Sequence, residues 1–156
     1  MPTFSASREI AAPAALVWEL LADVVAWPKW LPTVSRVEPV LSKELVVGAT
    51  FKVVQPRLKP VLWTVSTLNP GCNFIWESSN PGLTLWANHT VEALSDGHSQ
   101  IKLEFRFSGF MAPLVALLAG AITKRYLSTE AESLKQLAEA NAKSEAYRSF
   151  TPTRGH

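Results

Sequence analysis

The chain has 156 residues, 47% of them hydrophobic and 18% charged, with a net charge of +2. That balance describes one domain able to bury a sizeable core and excludes a disordered chain. The 15 Lys and Arg residues are scattered, with no run longer than Lys124-Arg125, so no stripe for tracking nucleic acid is present.

Six Trp and seven Phe are a heavy aromatic load for this length, and a core with a cavity is one place to put them. Cys72 is the single cysteine, which excludes an internal disulfide and a multi-cysteine metal site. Arg8 and Glu9 interrupt any apolar stretch of signal-peptide type near the start. The longest apolar run, Phe110–Ile122, is too short for the roughly 20 residues of a bilayer span. A cytoplasmic protein without stable membrane insertion is therefore expected, as a monomer or a homodimer.

In chain order, Thr3–Ile10 reads as a first strand, closed by Ala11-Ala12-Pro13. Pro13 suits the first turn of a helix, and Val17, Leu20, Leu21 and Val24 follow at helical spacing. Pro28 and Pro32 confine the next helical turn, which carries Trp27, Trp30 and Leu31. Ser35–Leu41 and Thr50–Gln55 read as the second and third strands. Val61–Leu68, Cys72–Ser78, Leu83–Leu94 and Ser99–Phe110 follow, joined by Asn69-Pro70-Gly71, Asn80-Pro81-Gly82 and Ser95-Asp96-Gly97. Strands joined by such tight turns form an antiparallel meander.

The last strand alternates most clearly: Ile101, Leu103, Phe105 and Phe107 against Gln100, Lys102, Glu104 and Arg106. One face is wet and the other covered. The cover is a long helix from Ala112-Pro113 to about Ala142, apolar and rich in small residues at first. It then becomes amphipathic, with Leu127, Ala131, Leu134, Leu137 and Ala138 on one stripe. The expected fold class is α+β: a curved antiparallel sheet of about seven strands around a long C-terminal helix, with two short helices after the first strand. The domain is expected to span residues 1–145, and residues 146–156, without apolar period, to form a flexible tail.

Strand parity turns Phe51, Trp63, Phe74 and Trp76 inward, together with Phe105 and Phe107. Their indole and phenyl faces suit the wall of a pocket for flat ligands, the alternative being plain core. His89 shares parity with Leu85, Ala87 and Val91 and faces the helix. It is either a core histidine satisfied by a backbone bond, or a polar anchor and candidate proton carrier for a ligand. No orienting partner for it is evident from spacing. Trp86 has the opposite parity. Arg125 or Tyr126, midway along the helix, reaches toward the sheet unless Lys124-Arg125 forms a solvated face. Arg57 is a candidate for the cavity mouth, and Arg8 shares inward parity with Ile10. No motif calls for a cofactor: HExxH, a P-loop, GxGxxG and G-x-S-x-G are missing, and His89, His98 and His156 cannot share a metal.

Several stretches carry a family resemblance: Ile10-Ala11-Ala12-Pro13 before Val17-Trp18, then Asp23 and Trp27-Pro28-Lys29-Trp30. Downstream come Trp63-Thr64-Val65, Pro81-Gly82, Ala87-Asn88-His89, Ser108-Gly109-Phe110 and Glu130-Ala131-Glu132-Ser133-Leu134-Lys135. Over residues 3 to 140 the chain resembles the SRPBCC superfamily, which includes START domains, the birch-pollen allergen and polyketide cyclase/dehydratase-like proteins. The resemblance implies the helix-grip fold, with Trp30 on a turn capping one end of a cavity. It also implies three functions. The first is binding a small hydrophobic lipid, acyl or polycyclic aromatic ligand; the second is polyketide cyclase/dehydratase chemistry in the same cavity. The third is service as a protein-partner module through an outer surface.

Overall fold

The computed structural model describes residues 2–150, with side chains up to Ala146. The first strand, β1 (Thr3–Ile10), is followed by helix α1 (Ala14–Ala22) and a 3₁₀ segment, Val24–Lys29. Six strands come next: β2 (Arg36–Pro39), β3 (Thr50–Val54), β4 (Val61–Asn69), β5 (Asn73–Asn80), β6 (Leu83–Ser95) and β7 (His98–Ser108). Helix α2 (Ala112–Phe150) is the last described element, continuing past the end expected near Ala142; residues 151–156 of the expected tail lie outside the described residues.

The seven strands form one antiparallel sheet in the order β1-β7-β6-β5-β4-β3-β2. Consecutive strands from β2 to β7 are neighbours, joined by tight turns from β4 onward and by longer connections before it, and β1 lies at the far edge against β7. The register shifts between Val65 and Thr67, and such a bulge adds twist, curving the sheet toward its covered face. Alternation holds as expected: Phe74, Trp76 and Ser78 on β5, and Ala87, His89 and Val91 on β6, are all buried. On the outer face Trp86 and Arg106 are cross-strand partners, with the guanidinium 4.1 Å from the indole centroid.

Helix α1 starts at Pro13, whose carbonyl accepts the first helical N–H groups, and buries Val17 and Leu21. The 3₁₀ segment packs down through Trp27, whose Nε1–H donates to the Leu21 carbonyl at 2.9 Å. A buried indole keeps its N–H satisfied in this way.

Helix α2 is held unevenly. Its second half buries Leu127, Ala131, Leu134 and Ala138, a stripe of spacing four, three and four. Polar bonds from β1 and its end reinforce this half. Arg8 reaches Glu132 at 3.1 Å and Ser128 at 2.8 Å, Lys135 donates to the Glu9 carbonyl, and the Ala11 N–H donates to Glu139. The first half leaves Leu114, Leu117 and Leu118 exposed. Among the described residues no helix is long and apolar enough to cross a membrane.

Candidate functional site

Where the sheet bends away from α2, a cavity of about 310 Å³ remains. That lies within the range of small-molecule sites. Its wall is aromatic: Trp27 from the 3₁₀ segment, Trp63 and Trp76 from β4 and β5, and Phe105 and Phe107 from β7. Trp63 and Trp76 stack, with ring centroids 5.5 Å apart and planes 19° from parallel. The roof is α2, through Val115, Ala119 and Thr123, and Gln55, Leu58 and Lys59 of the β3–β4 connection also line the space. Tyr126 ties that connection to the helix, its hydroxyl donating to the Pro56 carbonyl at 2.6 Å.

His89 belongs to this cavity. Its cross-strand partner is Phe74, and the two rings stack with centroids 4.1 Å apart. Trp27 and Trp76 close two further sides, at 5.7 and 5.4 Å between centroids. Nδ1 lies 3.4 Å from the Phe74 carbonyl. A carbonyl only accepts, so this contact assigns the ring proton to Nδ1 and leaves Nε2 with its lone pair. Burial lowers the imidazole pKa to about 3, the backbone bond opposing weakly. His89 is therefore neutral at pH 7.

The lone pair of Nε2 points to α2, where Glu130 Oε1 lies 3.9 Å away. That is too long for a hydrogen bond. Oε1 is buried and has no hydrogen-bond partner, while the Glu130 side chain as a whole is 13% exposed. Burial raises the Glu130 pKa to about 8, so its carboxyl is protonated at pH 7. A neutral acid and a neutral base thus face each other beside the aromatic wall. The other ionisable cavity residues are Lys59, Tyr126 and Glu104. Glu104 alternates with buried Leu103 and contacts Asn88 and Lys102. No cluster of three or more His, Cys, Asp or Glu able to hold a metal occurs among the described residues.

Residues 1–139 match the family described as "Polyketide cyclase / dehydrase and lipid transport". The chain belongs to that family. Several solved structures share its architecture. The Zhui aromatase/cyclase from Streptomyces sp. R1128 superposes with a TM-score of 0.69 at 19% identity, over 99% of each chain. Norcoclaurine synthase from Thalictrum flavum, in complex with dopamine and hydroxybenzaldehyde, gives 0.70 at 14% identity, over 87% of this chain and 85% of that one. The di-domain aromatase/cyclase BexL of the BE-7585A biosynthetic pathway gives 0.64 at 18% identity over 87% of this chain; the chain spans 46% of BexL. At these identities the likeness is one of fold. No curated protein matches the sequence.

Within this family fold, the sequence-derived candidates divide. Trp63, Trp76, His89, Phe105 and Phe107 line the cavity. Phe51 and Phe74 point inward but stand behind the wall: Phe51 packs against Trp76, and Phe74 lies under the His89 ring. Both are fully buried core. Trp30 packs edge-on against Trp27, which takes the lining position instead. Arg125 is exposed, because it falls on the side of α2 away from the Leu127–Ala131 stripe; Tyr126 is the residue that reaches the cavity. Arg57 adopts a left-handed conformation in the β3–β4 connection and leaves the lining to Gln55, Leu58 and Lys59. Arg8 points inward but is spent on Glu132 and Ser128. Sequence reasoning missed Glu130. Its signal was present: a carboxylate three residues after Leu127 and four before Leu134 sits on the buried stripe of α2.

Proposed function

We propose that the protein binds a small hydrophobic molecule, cyclic or polyketide-like, in the cavity between sheet and α2. The observation carrying this reading is the aromatic wall around a cavity into which His89 and Glu130 also face. Each ~100 Å² of apolar ligand surface covered there returns about 2.5 kcal/mol before the losses of association. The family description, which names both cyclase chemistry and lipid transport, and the aromatic ligands of norcoclaurine synthase support the same class of occupant.

A second reading, a polyketide cyclase-type enzyme, is favoured by one observation. His89 presents an unprotonated ring nitrogen inside the cavity rather than a fully bonded core imidazole. Binding is tested by tryptophan fluorescence with 2-naphthol as probe and by native mass spectrometry for a co-purifying mass. Quenching should saturate at one probe per chain in the wild type. Ala119→Trp, which fills the cavity from the roof, should abolish it while the circular dichroism spectrum stays folded. Equal binding by that variant sinks the cavity reading.

A further inference from the structure

We infer that the first half of α2 docks the protein on an anionic lipid surface, its exposed leucines entering the lipid while neighbouring cations hold the headgroups. The docking surface lies on the outer side of the helix, so it stands whether or not the cavity holds a ligand.

Residues Phe110–Ile122 carry no charged or polar side chain. A helix apolar all round is ordinarily covered all round. Here one side alone is covered, where Val115, Ala119 and Thr123 line the cavity. On the other side Leu114, Leu117, Leu118, Ala121, Lys124 and Arg125 are exposed. Steps of three and four residues place them on one stripe. Leu117 and Leu118 are 80% and 76% exposed, and Phe110, in the turn entering the helix, is 86% exposed. Proteins rarely leave so continuous an apolar patch uncovered without a use for it.

Charge identifies the cover. Residues 105–129 hold Arg106, Lys124 and Arg125 and no acid; residues 45–76 hold Lys52, Arg57 and Lys59 and no acid. The other nine basic residues share the rest of the chain with all 13 acidic ones. The two basic segments meet where the Tyr126 hydroxyl bonds to the Pro56 carbonyl, which brings the exposed Arg57 and Lys59 close to the Lys124-Arg125 turn. None of these four cations makes an ion pair among the described residues. Exposed leucines followed on one stripe by unpaired cations suit a helix lying in the membrane interface. Anionic headgroups supply the counter-charge that this surface lacks.

A second copy fits the patch less well. It would bring the same cations and no acid, and the few apolar side chains here fall short of the roughly 20–30 residues a side of a stable interface. The run of 13 apolar residues is also shorter than a bilayer span of roughly 20, so the helix lies on the lipid and does not cross it.

Vesicle flotation tests this with two compositions, phosphatidylcholine alone and equal parts of phosphatidylcholine and phosphatidylglycerol. The wild type should float with the mixed vesicles and bind phosphatidylcholine alone at least about tenfold more weakly. High salt should weaken the mixed-vesicle binding, because it screens the cations. Leu117→Ser/Leu118→Ser should lose at least about tenfold in affinity through the lost apolar burial. Lys124→Gln/Arg125→Gln should lose at least about tenfold through the lost charge. Both double variants should still be quenched by 2-naphthol, which reports a folded chain with its cavity intact. Should one of them not fold, Leu117→Ser or Arg125→Gln alone is read in its place, with a loss of about threefold expected. A wild type that does not float, equal binding to the two compositions, or a folded variant that binds like the wild type overturns the docking surface. So does a wild-type dimer in analytical ultracentrifugation that Leu117→Ser/Leu118→Ser splits, which would assign the stripe to a second copy. Absence of 2-naphthol quenching in a wild type that floats would count against the cavity reading alone.

Discussion

Glu130 Oε1 and His89 Nε2 stand 3.9 Å apart in the cavity, and Oε1 has no hydrogen-bond partner. Each group sits in the neutral protonation state that burial prefers.

Stability should therefore form a plateau against pH. His89 falls from 6.5 to about 3 on folding, so below 6.5 the unfolded state binds the extra proton and stability drops with acid. Glu130 rises from 4.5 to about 8, so above 4.5 the folded state holds the extra proton and stability drops with alkali, down to a floor above pH 8. Between 4.5 and 6.5 the two slopes cancel. Outside that window, toward 3 and toward 8, each slope approaches about 1.4 kcal/mol per pH unit. Urea midpoints across this range should show the plateau, and a His89→Gln/Glu130→Gln double variant should flatten both flanks. Flanks of wild-type steepness in the double variant would assign the effect to other groups.

Gly109 joins β7 to α2 with φ +98°, and a Cβ there would lie 2.5 Å from the Gly82 carbonyl oxygen. Gly109→Ala should cost well over the 1–2 kcal/mol of a left-handed backbone alone. Gly48 is the control: its φ is +90°, and nothing lies within 4 Å of its added Cβ. Equal losses in the two variants, measured by denaturant titration, would show that the close approach to Gly82 is not a constraint.

The two halves of α2 should answer mutation differently. Leu134→Ala should lose about 2–5 kcal/mol, since that side chain is fully buried. Leu117→Lys and Leu118→Lys, at positions 80% and 76% exposed, should move stability by no more than about 0.5 kcal/mol. Thermal melts compare them directly, and a large loss at Leu117 would reveal a packing role for the first half.

Tyr126→Phe removes the bond to Pro56 that joins helix and β3–β4 connection. The stability loss should be about 1 kcal/mol or less, as the bond is exposed. Release of bound 2-naphthol, followed by stopped-flow fluorescence, should speed up several-fold because the connection is no longer fastened. An unchanged release rate would mean that ligands leave by another route.

The scaffold was readable because its signals are local. The Pro-Gly and Asp-Gly turns at 70–71, 81–82 and 96–97 fix which strands are neighbours, and a period of two fixes which way Trp63, Trp76 and His89 face. Parity stops there: it separates inside from outside but does not distinguish a cavity wall from the layer behind it, which is where Phe51 and Phe74 lie. Glu130 was overlooked for a different reason. The rotation of a long helix against a sheet is set by tertiary packing, and Glu130 sits between Glu132 and Tyr126 in a stretch whose polar residues mostly face water. Arg125 is the converse case, a plausible ligand contact that the same rotation turns outward.

The parallel stacking of Trp63 on Trp76 has an optical consequence. Two indoles so close and so nearly parallel couple their electronic transitions, giving a paired-sign band in circular dichroism whose shape depends on their mutual tilt. Both rings face the cavity, so any occupant that shifts one of them changes the band. The protein thus carries an unlabelled reporter of whether its interior is filled.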